Sequence, residues 1–244
     1  MAAIPDPDSG HVTYSQMRWN TPLSEDHADL LMQRLDLLAG DHVLDLGCGW
    51  GELLLRAVAR TAASKGTGVD NAEWALELGQ HLATERALAD RVAFVSMDAS
   101  TWTESADRVI CIGASQAWGG SIAALRTLPR VVRPGGRLLF GDGCWEQPPT
   151  AAAAALFGEG VLNLTDLADG AIQAGWRIVH LSTADQREWD DFESAWRAGR
   201  ELWLLAHPTD HRSGSIRTEL ETRLHEYLTL YRGVLGFAYL ILAR

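Results

Sequence analysis

Cysteine is scarce in this sequence, and the spacing of the cysteines does not pair them. The 244 residues include three, Cys48, Cys111 and Cys144, and no two of them form a C-x-x-C motif. An odd number without that motif argues against a disulfide framework or a zinc site and favours reduced thiols, as in the cytoplasm. We interpret the cysteines as small buried hydrophobic residues and predict no metal site.

Basic residues and long apolar runs are also few. The chain has 21 Lys and Arg against 32 Asp and Glu, for a net charge of −11. A surface this negative repels phosphate backbones, so a nucleic-acid partner is not expected. The longest apolar run, residues 234–243, is too short and too interrupted by glycine to span a bilayer, so no membrane partner is expected. Residues 1–10 have neither a basic start nor an apolar core, so they predict no secretory signal, and we expect a cytoplasmic protein.

Apolar residues are plentiful enough for one large domain over residues 1–244. They make up 47% of the chain, which is ample for a core. Short apolar runs typical of strands alternate with helical patterns. The predicted strands are residues 43–46, 67–70, 92–95, 107–113, 138–142, 176–181 and 234–242. This alternation indicates an α/β fold with a parallel, doubly wound sheet.

Two segments fall outside the alternation. Residues 1–23 contain three prolines and little periodicity, and we interpret them as an N-terminal arm with apolar anchors such as Tyr14 and Trp19. Residues 186–232 contain two helical patterns, at about residues 188–206 and 215–231, and are interpreted as a helical cap insertion. The first of these helices carries four aromatic residues on one face: Trp189, Phe192, Trp196 and Trp203. That face either packs on the domain or forms the wall of a pocket for an apolar or aromatic acceptor.

The most specific motif is VLDLGCGWGE at residues 43–52. A buried strand, a glycine turn and a helix form the start of a nucleotide-binding βαβ unit. The glycines let the backbone approach a ligand closely, and the first helical amides point free N–H groups at it. A dinucleotide motif requires Gly or Ala where this chain has Glu52, so the spacing disfavours a nicotinamide cofactor.

The pattern Asp45-x-Gly47-x-Gly49-x-Gly51 resembles the first motif of class I S-adenosylmethionine-dependent methyltransferases, and Pro-Gly-Gly at residues 134–136 is also similar to that family. The resemblance implies S-adenosylmethionine as the cofactor. It also implies a Rossmann-like, doubly wound, seven-stranded sheet whose last strand is antiparallel and lies beside the sixth.

The resemblance also assigns cofactor-binding residues. The loop from Asp45 to Gly51 would hold the methionine moiety, and Asp70 would accept hydrogen bonds from the ribose hydroxyls. A carboxylate suits two neighbouring hydroxyl donors, and Asp70 follows the glycine turn at the spacing that nucleotide folds use. The full expected set is Asp45, Gly47, Cys48, Gly49, Gly51, Asp70, Asn71, Asp98, Ala99, Gly113 and Tyr14.

Methyl transfer depends mainly on positioning the two reactants, and no side chain stands in a pattern diagnostic of a catalytic base. Candidates for the acceptor site are Gln116, in the loop after the fourth strand, and Asp142, Trp196 and Tyr231. Two tryptophans lie in the loops expected nearest the cofactor, Trp50 and Trp118, where a ring could attract the sulfonium through a cation–π contact.

The sequence therefore predicts methyl transfer to a small organic molecule, with no oligomeric state specified. Residues 113–116 read Gly-Ala-Ser-Gln and lack the Asn/Asp-Pro-Pro-Tyr/Phe motif common in N-methyltransferases of nucleic acids and proteins. Two alternatives stay open. One is a nicotinamide-dependent oxidoreductase, which shares the topology. The other is a non-catalytic protein of this fold that binds the cofactor.

Overall fold

A central β-sheet organises the chain in the computed structural model, which describes residues 4–158 and 160–244. The strands are β1 (His42–Leu46), β2 (Lys65–Asp70), β3 (Val92–Ser96), β4 (Ala106–Ile112), β5 (Val132–Trp145), β6 (Leu162–Asn163), β7 (Arg177–Thr183) and β8 (Leu235–Ala243).

The sheet has the strand order β3-β2-β1-β4-β5-β8-β7, with β6 paired to β5 off this path. Strands β1 to β5 are parallel, and β8 runs antiparallel to both β5 and β7. The predicted antiparallel last strand beside the sixth main strand is thus confirmed. Because the chain order reverses between β1 and β4, their carboxyl ends diverge and leave the crevice in which open α/β sheets bind ligands.

Two details of the sheet differ from the prediction. The sheet has an eighth strand, β6, whose two residues are too few to show a periodicity in the sequence. Strand β5 begins at Val132, before the predicted start at residue 138, so residues 133–137 belong to it. The pairing of β4 with β5 shifts register between Ala106 and Arg108, and this irregularity accommodates the Pro-Gly-Gly sequence within the strand.

Nine helices accompany the strands in the described residues: α1 (Gly10–Thr13), α2 (Glu25–Leu35), α3 (Glu52–Arg60), α4 (Glu73–Glu85), α5 (Ser121–Thr127), α6 (Ala151–Phe157), α7 (Leu164–Gln173), α8 (Gln186–Ala206) and α9 (Ser213–Glu226). The Ser24 side chain caps α2 by accepting the His27 N–H. The helix ends at Leu35, and its C-cap residue, Asp36, adopts a left-handed conformation.

The sheet is covered on both faces, as the side-chain alternation along its strands requires. One hydrophobic cluster contains Val43 of β1 together with residues of α2 and α3. The opposite cluster contains the next residue, Leu44, together with residues of α5 and α7. Cys111 and Cys144 are fully buried in this second cluster, whereas Cys48 is only partly buried.

The arm and the cap pack against each other at one edge of the domain. Helix α1 of the arm contacts α8 of the cap, and α8 pairs with α9. A capping box formed by Asp185 and Glu188 fixes the start of α8. Among the described residues, no helix has both the length and the apolar character needed to cross a membrane.

Candidate active site

A cavity of about 390 Å³ opens at the carboxyl ends of β1, β2 and β4 and is bounded by the arm. It lies at the switch point of the sheet, where the topology places a ligand. Every predicted cofactor residue except Gly51 lines it. The remaining lining residues include Trp19, Asn20, Thr21, Trp50, Glu52, Leu53, Ala72, Trp74, Ala75, Ile110, Ile112, Ala114, Gln116 and Ala117.

The glycine turn between β1 and α3 leaves a ligand-sized gap beside its backbone. Its φ at Gly49 is +53°, and a Cβ built at this residue would meet nothing within 4 Å. That open space belongs to the cavity, so a side chain here would occupy the ligand's volume. A backbone cradle of this kind fits the amino-acid part of S-adenosylmethionine, which needs close approach to main-chain amides.

Gly51 has a packing role, which corrects its expected place among the cavity residues. It is the N-cap of α3, and a Cβ there would lie 2.5 Å from Cε1 of the Phe94 ring. Phe94 is in β3 and packs beneath the start of the helix. Gly51 is therefore required for the close approach of helix and strand, and it does not face the cavity.

Asp70 links the glycine turn to the next helix. Its Oδ2 accepts the Gly49 N–H at 2.8 Å, and its Oδ1 accepts the Ala72 N–H at 2.9 Å. Ala72 is the N-cap of α4, so one carboxylate holds both backbone segments that border the cavity. Each carboxylate oxygen retains acceptor capacity for a hydroxyl donor. This geometry is compatible with the predicted ribose contact, which stays a prediction.

Asp45 is buried at the end of β1, with 4% of its surface exposed. Burial, and then the nearby charge of Asp70, raises the pKa of Asp45 to about 8. The side chain is therefore mostly protonated near neutral pH. A positive charge placed in the cavity would favour its ionised form.

This pKa predicts a pH dependence of stability. Because Asp45 binds its proton more tightly in the folded chain than in the unfolded chain, its contribution is complete below the ordinary pKa of 3.8 and is lost as the pH rises through about 8. We expect the unfolding free energy of the free protein to fall between about pH 4 and pH 8, and Asp45→Asn to flatten that fall by about 1 kcal/mol per pH unit. Urea denaturation at several pH values measures both slopes.

Asp98→Asn is the control, because Asp98 is exposed and hydrogen bonds from Ser100 lower its pKa, so it stays ionised across this range. Equal pH slopes for the wild-type chain and Asp45→Asn would show that Asp45 is already ionised in the folded state.

The arm supplies one wall of the cavity. The Tyr14 ring stacks on Trp74 at 5.5 Å and lies 5.9 Å from the Trp50 ring. The Trp50 indole N–H donates to the Arg18 carbonyl at 2.7 Å. These contacts join the arm, the glycine turn and the start of α4. The sequence did not identify Asn20, Thr21 or Trp74 as cavity residues, since none stands in a motif.

Of the four predicted acceptor-site residues, only Gln116 lines the cavity. Asp142 lies inside β5, which continues past it to Trp145, and its carboxylate accepts the Ser121 hydroxyl at 2.6 Å. Of the two tryptophans expected near the sulfonium, Trp50 lines the cavity and Trp118 does not.

The two cap candidates are occupied by packing within the cap. The Arg223 guanidinium lies 3.8 Å above the Trp196 ring, and the Tyr231 hydroxyl donates to Glu193 at 3.0 Å. Burial and the Glu193 charge raise the pKa of Tyr231, so its phenol stays protonated. None of the cavity-lining residues comes from α8 or α9, so the structure does not bring the acceptor-site candidates Trp196 and Tyr231 to this cavity.

The cap contacts the arm, and the arm in turn lines the cavity. The Trp203 indole N–H donates to the Pro5 carbonyl at 2.9 Å, and Arg200 pairs with Asp8 at 3.1 Å. A Cβ at Gly199 would lie 2.0 Å from the Val12 carbonyl oxygen, so the arm backbone rests directly on α8. Helix α8 thus holds the arm in place over the cavity through these contacts.

Comparison with known proteins agrees with this geometry. Residues 43–136 match the family model described as a methyltransferase domain. The protein YjhP of Escherichia coli is 31% identical over 233 residues, which cover 93% of this chain and 94% of YjhP. The 27-O-demethylrifamycin SV methyltransferase of Amycolatopsis mediterranei is 35% identical over 117 residues, or 47% of this chain and 43% of that protein.

A solved structure extends the comparison to the whole chain. It is an S-adenosylmethionine-dependent methyltransferase from Geobacter sulfurreducens in complex with S-adenosyl-L-homocysteine. It matches with a TM-score of 0.87 and 32% identity, over 98% of this chain and 99% of that one. Together with the glycine turn and the cavity at the switch point, these matches make S-adenosylmethionine the cofactor. The chain belongs to the class I S-adenosylmethionine-dependent methyltransferase family.

Proposed function

We propose that this enzyme transfers the methyl group of S-adenosylmethionine to a small organic molecule bound between the arm and the loop after β4. The observation that carries the proposal is a single cavity that joins the glycine turn, Asp70 and Gln116 under the arm. Its volume of about 390 Å³ is near the lower end of the range for ligand pockets and has to hold the cofactor as well, so an acceptor that enters it is small. The relationship to a methyltransferase named for a rifamycin supports an organic molecule, and not a nucleic acid or a protein, as the acceptor.

The protein's contribution is to hold the reactants in line and to keep water out. When bound, S-adenosylmethionine supplies a methyl group already activated on a positively charged sulfur. The glycine turn and Asp70 orient the donor side, and Trp50 and the arm tryptophan Trp19 close the cavity above it. Positioning of this kind is worth roughly 7–11 kcal/mol in favourable cases, so the reaction does not require a protein base.

A cytoplasmic location and the lack of a nucleic-acid partner stay predictions from composition and charge. The alternatives of a nicotinamide-dependent enzyme and of a non-catalytic binder are not favoured by the family assignment.

Asp70→Ala tests the cofactor side of the proposal. Removing the carboxylate takes away the acceptor for the Gly49 amide and for the ribose hydroxyls, so we expect affinity for S-adenosylhomocysteine to fall about tenfold to hundredfold. Calorimetry on the folded variant measures the loss. Asp169→Ala, which removes an exposed carboxylate of α7, is the control and should bind like the wild type.

A 2′-deoxyribose analogue of S-adenosylhomocysteine separates the two roles of Asp70. If the carboxylate binds the ribose, the loss caused by Asp70→Ala is smaller with the analogue, because one partner of the contact is already absent. Equal losses would assign Asp70 to the loop alone. Unchanged S-adenosylhomocysteine affinity, or binding of NADH in its place, would refute the proposed use of this cavity.

A further inference from the structure

The charges that line the cavity are all of one sign. Among the described residues that line it are four carboxylates, Asp45, Glu52, Asp70 and Asp98, and no lysine, arginine or histidine. An anion inside a protein needs a positive partner or several hydrogen-bond donors to replace its water. The lining offers no such cation, so its composition already discriminates between classes of acceptor.

The carboxylates differ in whether their charge is compensated. Glu52 accepts from Arg56 at 2.9 Å and from Arg86 at 2.6 Å, so an ion-pair network neutralises it. Asp70 accepts only from backbone amides in the described structure, and Asp98 from Ser100. The charges of these two residues, and that of Asp45 whenever it is ionised, therefore face the cavity without a cation of the protein's own.

Two neutral side chains provide the polar contacts away from the glycine turn. Asn20 comes from the arm and Gln116 from the loop after β4, and both are exposed. Neither carboxamide has a hydrogen-bond partner among the residues that the structure describes, whereas the neighbouring Thr21 hydroxyl is paired with Tyr239 at 2.9 Å. A carboxamide offers both a donor and an acceptor, which matches an uncharged polar group.

We propose that the acceptor is an uncharged polar molecule, recognised through hydrogen bonds to Asn20 and Gln116, and that acceptors carrying a carboxylate or phosphate are rejected. This inference rests on the proposed function, since it assigns the acceptor class to the same cavity. An anionic acceptor would lose its hydration in a cavity whose described lining has no lysine, arginine or histidine to replace it.

Matched pairs of small hydroxyl-bearing molecules test the proposal, each pair differing only in a primary amide or a carboxylate. The first pair is 4-hydroxybenzamide and 4-hydroxybenzoate, with further pairs on aliphatic scaffolds. Binding to the chain saturated with S-adenosylhomocysteine is measured by ligand-detected NMR, and methyl transfer by formation of S-adenosylhomocysteine from S-adenosylmethionine. We expect the amide of at least one pair to bind at least about tenfold more tightly than its carboxylate. A preference for the carboxylates, or failure of every amide to bind, overturns the proposal.

Gln116→Lys provides the matched variant, because it places a cation in the cavity wall. It should reduce the preference for the amide by about tenfold or reverse it. Gln173→Lys adds the same charge at an exposed position of α7 and should leave the preference as in the wild type. An unchanged preference in Gln116→Lys would show that this residue does not face the acceptor.

Binding of S-adenosylhomocysteine alone is measured first, so that failure of the proposed function can be distinguished from failure of the proposed acceptor class. A chain that binds it but prefers carboxylates refutes only the acceptor class. A chain that does not bind it refutes the proposed function and, with it, this inference.

Discussion

Substituting valine for Gly49 should give a folded chain that has lost all measurable affinity for S-adenosylhomocysteine. The residue has a φ of +53°, and its missing Cβ points into open space within the cavity. A valine would place three carbon atoms where the ligand must approach the backbone. Its branched side chain also disfavours the left-handed conformation, which would disturb the amide that donates to Asp70. Both effects act against binding, so we expect a loss of more than about a hundredfold.

The control must carry the same backbone strain without touching the cavity. Gly40 meets this requirement, because its φ is +82°, a Cβ there would meet nothing within 4 Å, and it lies outside the cavity before β1. Gly40→Val and Gly49→Val should lose similar stability in thermal unfolding, by about 1–2 kcal/mol each. Only Gly49→Val should lose binding in calorimetry. Normal binding by a folded Gly49→Val chain would place the cofactor somewhere other than the glycine turn.

The cofactor side of the site was predictable from the sequence because it is local. In a parallel sheet the carboxyl ends of neighbouring strands lie at one edge, so residues that follow β1, β2, β3 and β4 must meet there. The glycine turn, Asp70, Asp98 and Gly113 each lie at or just after the end of a strand that the apolar pattern identified, and the structure brings them into one cavity. Gly51 shows the limit of motif spacing. A required glycine can serve a ligand or a neighbouring helix, and only the Phe94 contact distinguishes the two.

The acceptor side was not predictable, because contacts between distant segments determine it. The arm has no periodicity, and its place over the cavity depends on residues of α8 nearly two hundred positions away, such as the bond from Trp203 to Pro5. The sequence predicts an aromatic face on α8, but the side chains of this face pack against two different regions in the folded chain. Trp189 packs into the main core, whereas Trp203 packs with the arm residue Val12. Helical spacing shows that side chains share a face, and it does not show what covers each part of that face.

Because the arm packs on α8, we expect Gly199→Val to weaken cofactor binding although Gly199 lies outside the cavity. A Cβ at this position would lie 2.0 Å from the Val12 carbonyl oxygen and 3.2 Å from that of Thr13. These are backbone atoms, so the arm itself must move. Since Tyr14, Trp19, Asn20 and Thr21 line the cavity, its displacement should lower affinity for S-adenosylhomocysteine by about tenfold to hundredfold.

Gly214→Val is the matched control, because it makes the same substitution in α9 at a site where a Cβ meets nothing within 4 Å. A milder second variant, Trp203→Phe, removes only the indole N–H that holds the Pro5 carbonyl and should shift binding in the same direction by a smaller factor.

Hydrogen exchange measured by mass spectrometry distinguishes loss of the contact between the arm and α8 from general destabilisation of the domain. In Gly199→Val, residues 5–22 should exchange faster while the strands of the sheet keep their protection, because the arm leaves α8 without unfolding the domain. In Gly214→Val both regions should match the wild type. If Gly199→Val loosened the arm but bound S-adenosylhomocysteine normally, the arm would be a cover for the acceptor alone. If neither the exchange of the arm nor the affinity for S-adenosylhomocysteine changed, the contact of the arm with α8 would not control the cavity. The aromatic cluster of Tyr14, Trp50 and Trp74 would then be sufficient to hold the arm in place.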